Sequence, residues 1–70
     1  MYKKGDMIFV KKKGPWTYGA EVGVHRFFRM NKTSINGEIG YAVPLTQDFS
    51  ESVIAESYKK PFFIEDSYKL

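Results

Sequence analysis

Cysteine is missing from this chain, and with it go disulfide staples and thiolate metal sites. Extracellular domains of this size usually carry such cross-links, so the expectation is a reducing, cytoplasmic setting. Histidine occurs once, at His25, with no carboxylate spaced from it as a metal ligand would be. Long apolar runs are missing too. The N-terminal run, Met7-Ile8-Phe9-Val10, is too short for a signal-peptide core and far too short to span a bilayer. Neither GxxxxGK[ST] nor GxGxxG occurs, which removes the usual phosphate cradles. Glu65 and Asp66 are neighbours, so on a strand they face opposite ways and cannot act as an acid–base pair. These gaps point to a soluble, non-enzymatic chain with no cofactor, no metal and no membrane contact.

What the chain has in quantity is aromatic surface: one Trp, five Tyr and six Phe in 70 residues. Large rings let a short chain bury enough area with few core positions, and the length predicts a single domain over residues 1–70.

Turn residues punctuate the sequence. Lys4-Gly5-Asp6 reads as a turn into a first strand, Met7 to Val10, apolar on both faces. Lys11 to Lys13 end it, and Gly14-Pro15 supplies a loop. Trp16, Tyr18, Ala20, Val22 and Val24 then alternate with Thr17, Gly19, Glu21, Gly23 and His25. That period of two predicts a half-buried second strand whose rings enter the core. Gly19 and Gly23 would be bending points of a strongly curved sheet. The alternation slips near Arg26, which predicts a bulge or tight turn between Val24 and Arg26. Phe27 and Phe28 must occupy opposite faces, so whichever loses the interior becomes an exposed ring.

Asn36-Gly37, flanked by apolar residues, predicts a hairpin turn. A strand follows through Ile39, Tyr41, Val43 and Leu45, with Pro44 marking its end or an edge. Asp48 and Glu51 form a capping pair ahead of Phe49, Val53, Ile54 and Tyr58, predicting a short helix or 3-10 segment. A strand over residues 52–57 is the competing reading. Pro61 ends that segment, and Phe62-Phe63-Ile64 starts the last strand.

Charge is lopsided. Residues 1–33 carry Lys3, Lys4, Lys11, Lys12, Lys13, Arg26, Arg29 and Lys32 against Asp6 and Glu21, a balance of +6 within a net charge of +3. Cations interleaved with rings are what a nucleic acid demands, lysine and arginine for phosphates and aromatics for bases. The candidate binding residues are therefore Lys11, Lys12, Lys13, Arg26, Phe27, Phe28, Arg29 and Lys32. Against this stands a plainer use of Lys11 to Lys13, as a solvated loop that discourages edge pairing.

The run Lys4-Gly5-Asp6-Met7-Ile8-Phe9-Val10, a Gly-containing loop and then Trp16-x-Tyr18-x-Ala20-x-Val22 resembles SH3-like small β-barrels of the Tudor and KOW kinds. There a Gly-Asp turn opens the first strand and an aromatic–Ala–Val strand follows a loop. The resemblance covers residues 4–24 and, more loosely, the remainder. It implies an all-β fold: a small, strongly curved barrel of four or five antiparallel strands with one short helix or 3-10 turn before the last. It also implies a binding module for nucleic acid or protein. The acidic-loop ligand motif of conventional SH3 domains is absent, as is an aromatic cage for methylated side chains.

Two functions follow as expectations. The first is binding of DNA or RNA through the basic N-terminal half. The second is a small protein-binding regulator, an inhibitor of a larger enzyme, acting through an exposed aromatic patch or a sheet edge. Richness in Lys, Tyr, Phe, Ile and Asn fits an AT-rich genome, and a phage or mobile-element regulator suits such a chain. Self-association through edge strands is a third expectation.

Overall fold

A computed structural model describes residues 2–35, 37–47, 49 and 56–70. Five strands form one antiparallel sheet: β1 (Met7–Val10), β2 (Gly23–Ser34), β3 (Gly37–Pro44), β4 (Lys60–Phe63) and β5 (Ser67–Lys69). Their order is β4-β3-β2-β1-β5, so β4 and β5 are the edges and strand pairing does not close the sheet. Among the described residues there is no α-helix; 3-10 turns at Glu56–Tyr58 and Ile64–Asp66 precede β4 and β5. The expected capping pair, Asp48 and Glu51, and most of the expected helix lie outside the described residues.

β1 opens as its turn residues dictate. The Asp6 N–H donates to the Lys3 carbonyl at 2.9 Å, and Gly5 at φ 93° supplies the positive φ that a type II turn needs at its third residue. The Lys3 N–H donates in turn to Asp6 Oδ2 at 2.8 Å. Two further backbone bonds, Gly5 N–H to Phe27 C=O and Phe27 N–H to Asp6 C=O, both 2.8 Å, tie this turn to β2.

β2 is long and irregular. Its register against β3 slips between Phe27 and Arg29 and again between Met30 and Lys32, so Phe28 and Asn31 are unpaired extra residues. The bulge lies later than the sequence suggests, and its effect is specific. Arg26 sits opposite Val43 and Arg29 opposite Tyr41, which places Phe28 and Arg29 together on the outer face while Met30 returns to the inner one. The inner core comprises Ile8, Val10, Ala20, Phe27, Ala42 and Phe62, with Tyr2, Met30 and Ile64 packed against it. On the outer face Phe28 and Val43 form a second cluster with Tyr41 and Phe49. Phe27 meets Phe62 edge-on at 6.2 Å, and Phe28 meets Phe49 edge-on at 6.1 Å. Both β2 phenylalanines are therefore only 3% exposed, and the expected exposed ring at one of them is corrected. Each face has its own apolar cover.

The main departure from the sequence pattern is the segment between β1 and β2. Residues 11–22 form a loop rather than a strand. Of its alternating apolar set only Ala20 is buried, whereas Trp16, Tyr18 and Val22 are 54%, 57% and 57% exposed. The loop folds on itself through Gly14 N–H to Ala20 C=O (2.8 Å) and reaches β4 through Ala20 N–H to Pro61 C=O (2.8 Å). A Cβ on Gly14 would collide with the Pro61 carbonyl, so glycine is what lets the two backbones approach. Pro61 does not end a segment but lies within β4, tolerated because this is an edge strand. The hairpin is shifted too: Ser34 pairs with Gly37, leaving residues 35–36 as its loop, with Asn36 outside the described residues.

Stability measurements separate this arrangement from the strand reading. Ile8→Val should cost about 0.5–1.5 kcal/mol and Phe62→Ala about 3–5 kcal/mol. Tyr18→Ala should change stability by no more than about 0.5 kcal/mol, in chemical denaturation. A cost for Tyr18→Ala like that of a core truncation would contradict the loop assignment.

Candidate functional site

The β2 bulge gathers cations on the outer face. Arg26, opposite Val43, donates from Nη1 to the Gly5 carbonyl at 3.3 Å. Arg29 donates to the Met30 carbonyl at 3.3 Å and lies over the Tyr41 ring, 4.9 Å from its centroid. The ammonium groups of Lys4 and Lys59 each lie 5.0 Å from the Phe28 centroid. A cation above a ring face is held by the ring quadrupole without losing its charge. Among the described residues, neither guanidinium meets a carboxylate. Arg29 is exposed and Tyr41 half-buried, so the cluster is open to solvent.

The predicted site residues therefore divide. Arg26, Phe28 and Arg29 come together, with Phe28 as a buried floor under the lysines rather than a ring for bases. Phe27 belongs to the inner core and leaves the site. Lys32 pairs with Ile39 along the backbone, but its side chain lies outside the described residues. Lys11 to Lys13 sit elsewhere. Lys11 follows Val10, whose partner is Gly23, and Arg29 stands about 20 Å further along β2 at ~3.3 Å per residue. Lys11 and Lys12 are exposed. Lys13 is a brace, donating from Nζ to the Trp16 and Thr17 carbonyls at 3.3 and 3.1 Å and lying 3.9 Å from Glu21.

That brace holds a feature the alternation concealed. Trp16 and Tyr18 stack on each other outside the core, centroids 5.6 Å apart and planes 17° from parallel. Trp16 adopts φ +65°, a left-handed conformation costing about 1–2 kcal/mol for a residue with a side chain. The clue available beforehand was Gly14-Pro15 and Gly19 around the two rings, a turn composition inside an apparent strand.

His25, on the inner side of β2 opposite Ile8, is buried, and its Nδ1 donates to the Gly23 carbonyl at 3.1 Å. Among the described residues no His, Cys, Asp and Glu side chains gather as a metal site, and no helix is long and apolar enough to cross a membrane. A second exposed area lies beside the cations, where Tyr68, Phe9 and Val24 are consecutive cross-strand partners. Phe9 and Tyr68 stack at 5.5 Å, and Met7 and Leu70, joined by a backbone bond, extend the row. Comparison of the chain with family models, curated proteins and solved structures finds no match.

Asp6 stands at the rim of the cation cluster. The Lys3 backbone N–H holds its carboxyl below the ordinary value of 3.8, with help from Lys69, whose Nζ is 3.6 Å away. A carboxylate with a lowered folded-state pKa adds stability that is fully present above its unfolded value and lost as pH falls through the folded one. Thermal melts from pH 5 downward should therefore show Asp6→Asn losing less stability than the parent below about pH 4. Parallel curves would remove Asp6 as a contributor.

Proposed function

We propose that this chain is a non-enzymatic, SH3-like binding module that contacts nucleic acid through the outer face of β2 and β3. The carrying observation is the Arg26 and Arg29 pair. The β2 bulge sets both on one face beside a half-buried tyrosine, with Lys4 and Lys59 adjacent. Guanidinium groups supply forked donors to phosphate oxygens and flat surfaces to bases. The fold part of the reading is supported by five antiparallel strands, the Gly5-Asp6 turn ahead of β1 and a 3-10 turn before β5. Barrel closure would come from the 11–22 loop, whose Ala20–Pro61 bond reaches the β4 edge.

A second reading is favoured by the Tyr68–Phe9–Val24 row. An apolar strip beside arginines also suits a protein partner, since aromatic and Arg side chains dominate interface energetics. On that reading this strip replaces Phe27 and Phe28 as the patch.

Titration of labelled DNA and RNA against salt decides between them. Binding should weaken steeply with salt, and Arg26→Gln with Arg29→Gln should reduce the log–log slope by about one per lost phosphate contact. Affinity absent at low salt, or a slope indifferent to both arginines, would sink the nucleic-acid reading. Nuclease-resistant capture of a protein, abolished by Tyr68→Ser, would establish the other.

A further inference from the structure

The nucleic-acid reading leaves the strand state of the ligand open, and the 11–22 loop bears on it. Trp16 and Tyr18 are large, flat and exposed, yet their geometry is fixed. Lys13 grips two carbonyls of the loop, Gly19 N–H closes back on the Trp16 carbonyl at 3.3 Å, and Ala20 anchors the loop to β4. Trp16 keeps a positive φ that glycine would adopt without strain. Strain maintained under a ring that stays outside the core belongs with function more than with stability.

We propose that Trp16 and Tyr18 form a stacking platform for unpaired bases, so that the ligand is a single-stranded nucleic acid. The inference rests on the nucleic-acid reading above and narrows it. Tyr18 backs one face of the indole, and the exposed remainder offers a π-surface to a base. Lys11 and Lys12, exposed at the start of the same loop, meet the phosphates. The platform is not isolated from the arginines. Arg29 pairs with Tyr41 and Tyr41 with Pro61, and the Pro61 carbonyl takes the Ala20 N–H. At ~4.8 Å per strand the loop backbone lies about 15 Å from Arg29, within the span of one short oligonucleotide. Bases inside a duplex are already stacked and offer no free face to the platform, whereas a single strand does.

Trp16 is the chain's one tryptophan, so its emission reports the platform directly. The experiment titrates the protein with an oligothymidylate of about 16 nucleotides, a duplex of equal length and inorganic polyphosphate, following both Trp emission and anisotropy of labelled DNA. The oligothymidylate should quench emission with the same midpoint as the anisotropy, and polyphosphate should compete without quenching. Trp16→Gly should melt no lower than the parent, because φ +65° costs glycine nothing, yet bind the oligothymidylate about tenfold or more weakly. Tyr18→Ser, at an exposed position, should also weaken binding while remaining folded. Salt-sensitive, arginine-dependent binding without quenching, and unchanged in Trp16→Gly, would overturn the platform and leave the module reading standing. Equal quenching by polyphosphate, or tighter binding of the duplex, would overturn it as well. No binding of any nucleic acid at low salt would remove both.

Discussion

One hydrogen bond, from the Ala20 amide to the Pro61 carbonyl, fixes the relation between the two ends of the sheet. It joins the loop that leaves β1 to the exposed edge of β4, places Ala20 in the inner core, and so leaves Trp16 and Tyr18 outside. Gly14, pressed against the Pro61 carbonyl, makes the approach sterically possible, and Pro61 gives up no ladder bond on an edge. Loop covering is one way to protect a strand edge that would otherwise recruit another chain.

The second constraint is the β2 bulge. A chain of this length has little room for a single deep core, and here a curved sheet carries apolar clusters on both faces. By inserting Phe28, the bulge lets that ring cover the outer face while Phe27 covers the inner one. It also brings Arg29 onto the face that holds Arg26. Packing and the candidate binding surface thus come from one irregularity. The cations sit on this face because rings and carbonyls hold them there.

Much of the architecture was legible in local chemistry. The Gly5-Asp6 turn, β1, the hairpin between β2 and β3 and the all-β character follow from turn residues and β-branched or aromatic runs, which act over a few positions. Most of the Trp16 to Val24 alternation is not a strand, because a period of two tests only spacing. Whether such a segment pairs depends on the backbone it meets, and here Gly14 and Gly19 favour a folded loop docked on β4. The Phe27–Phe28 contest failed for a related reason. It assumed one buried face, and the outer cluster depends on Phe49, far along the chain from β2. Of the candidate site, Arg26 and Arg29 were found by charge alone. Trp16 and Tyr18 were noticed but sent to the interior, and Lys13 proved to be a brace, since no sequence pattern reveals which carbonyls an ammonium group will meet.

Function in this protein is thus argued from two surfaces that the same folding events create: arginines aligned by a bulge and rings displaced by a docked loop. The docked loop is the central claim, and amide hydrogen exchange at Ala20 tests it most directly. A docked loop predicts that the Ala20 amide exchanges slowly, only as β4 opens, while Thr17 and Tyr18 exchange at rates typical of exposed backbone. Exchange at Ala20 as fast as at Tyr18, or protection alternating along residues 16–24 as in a paired strand, would contradict it.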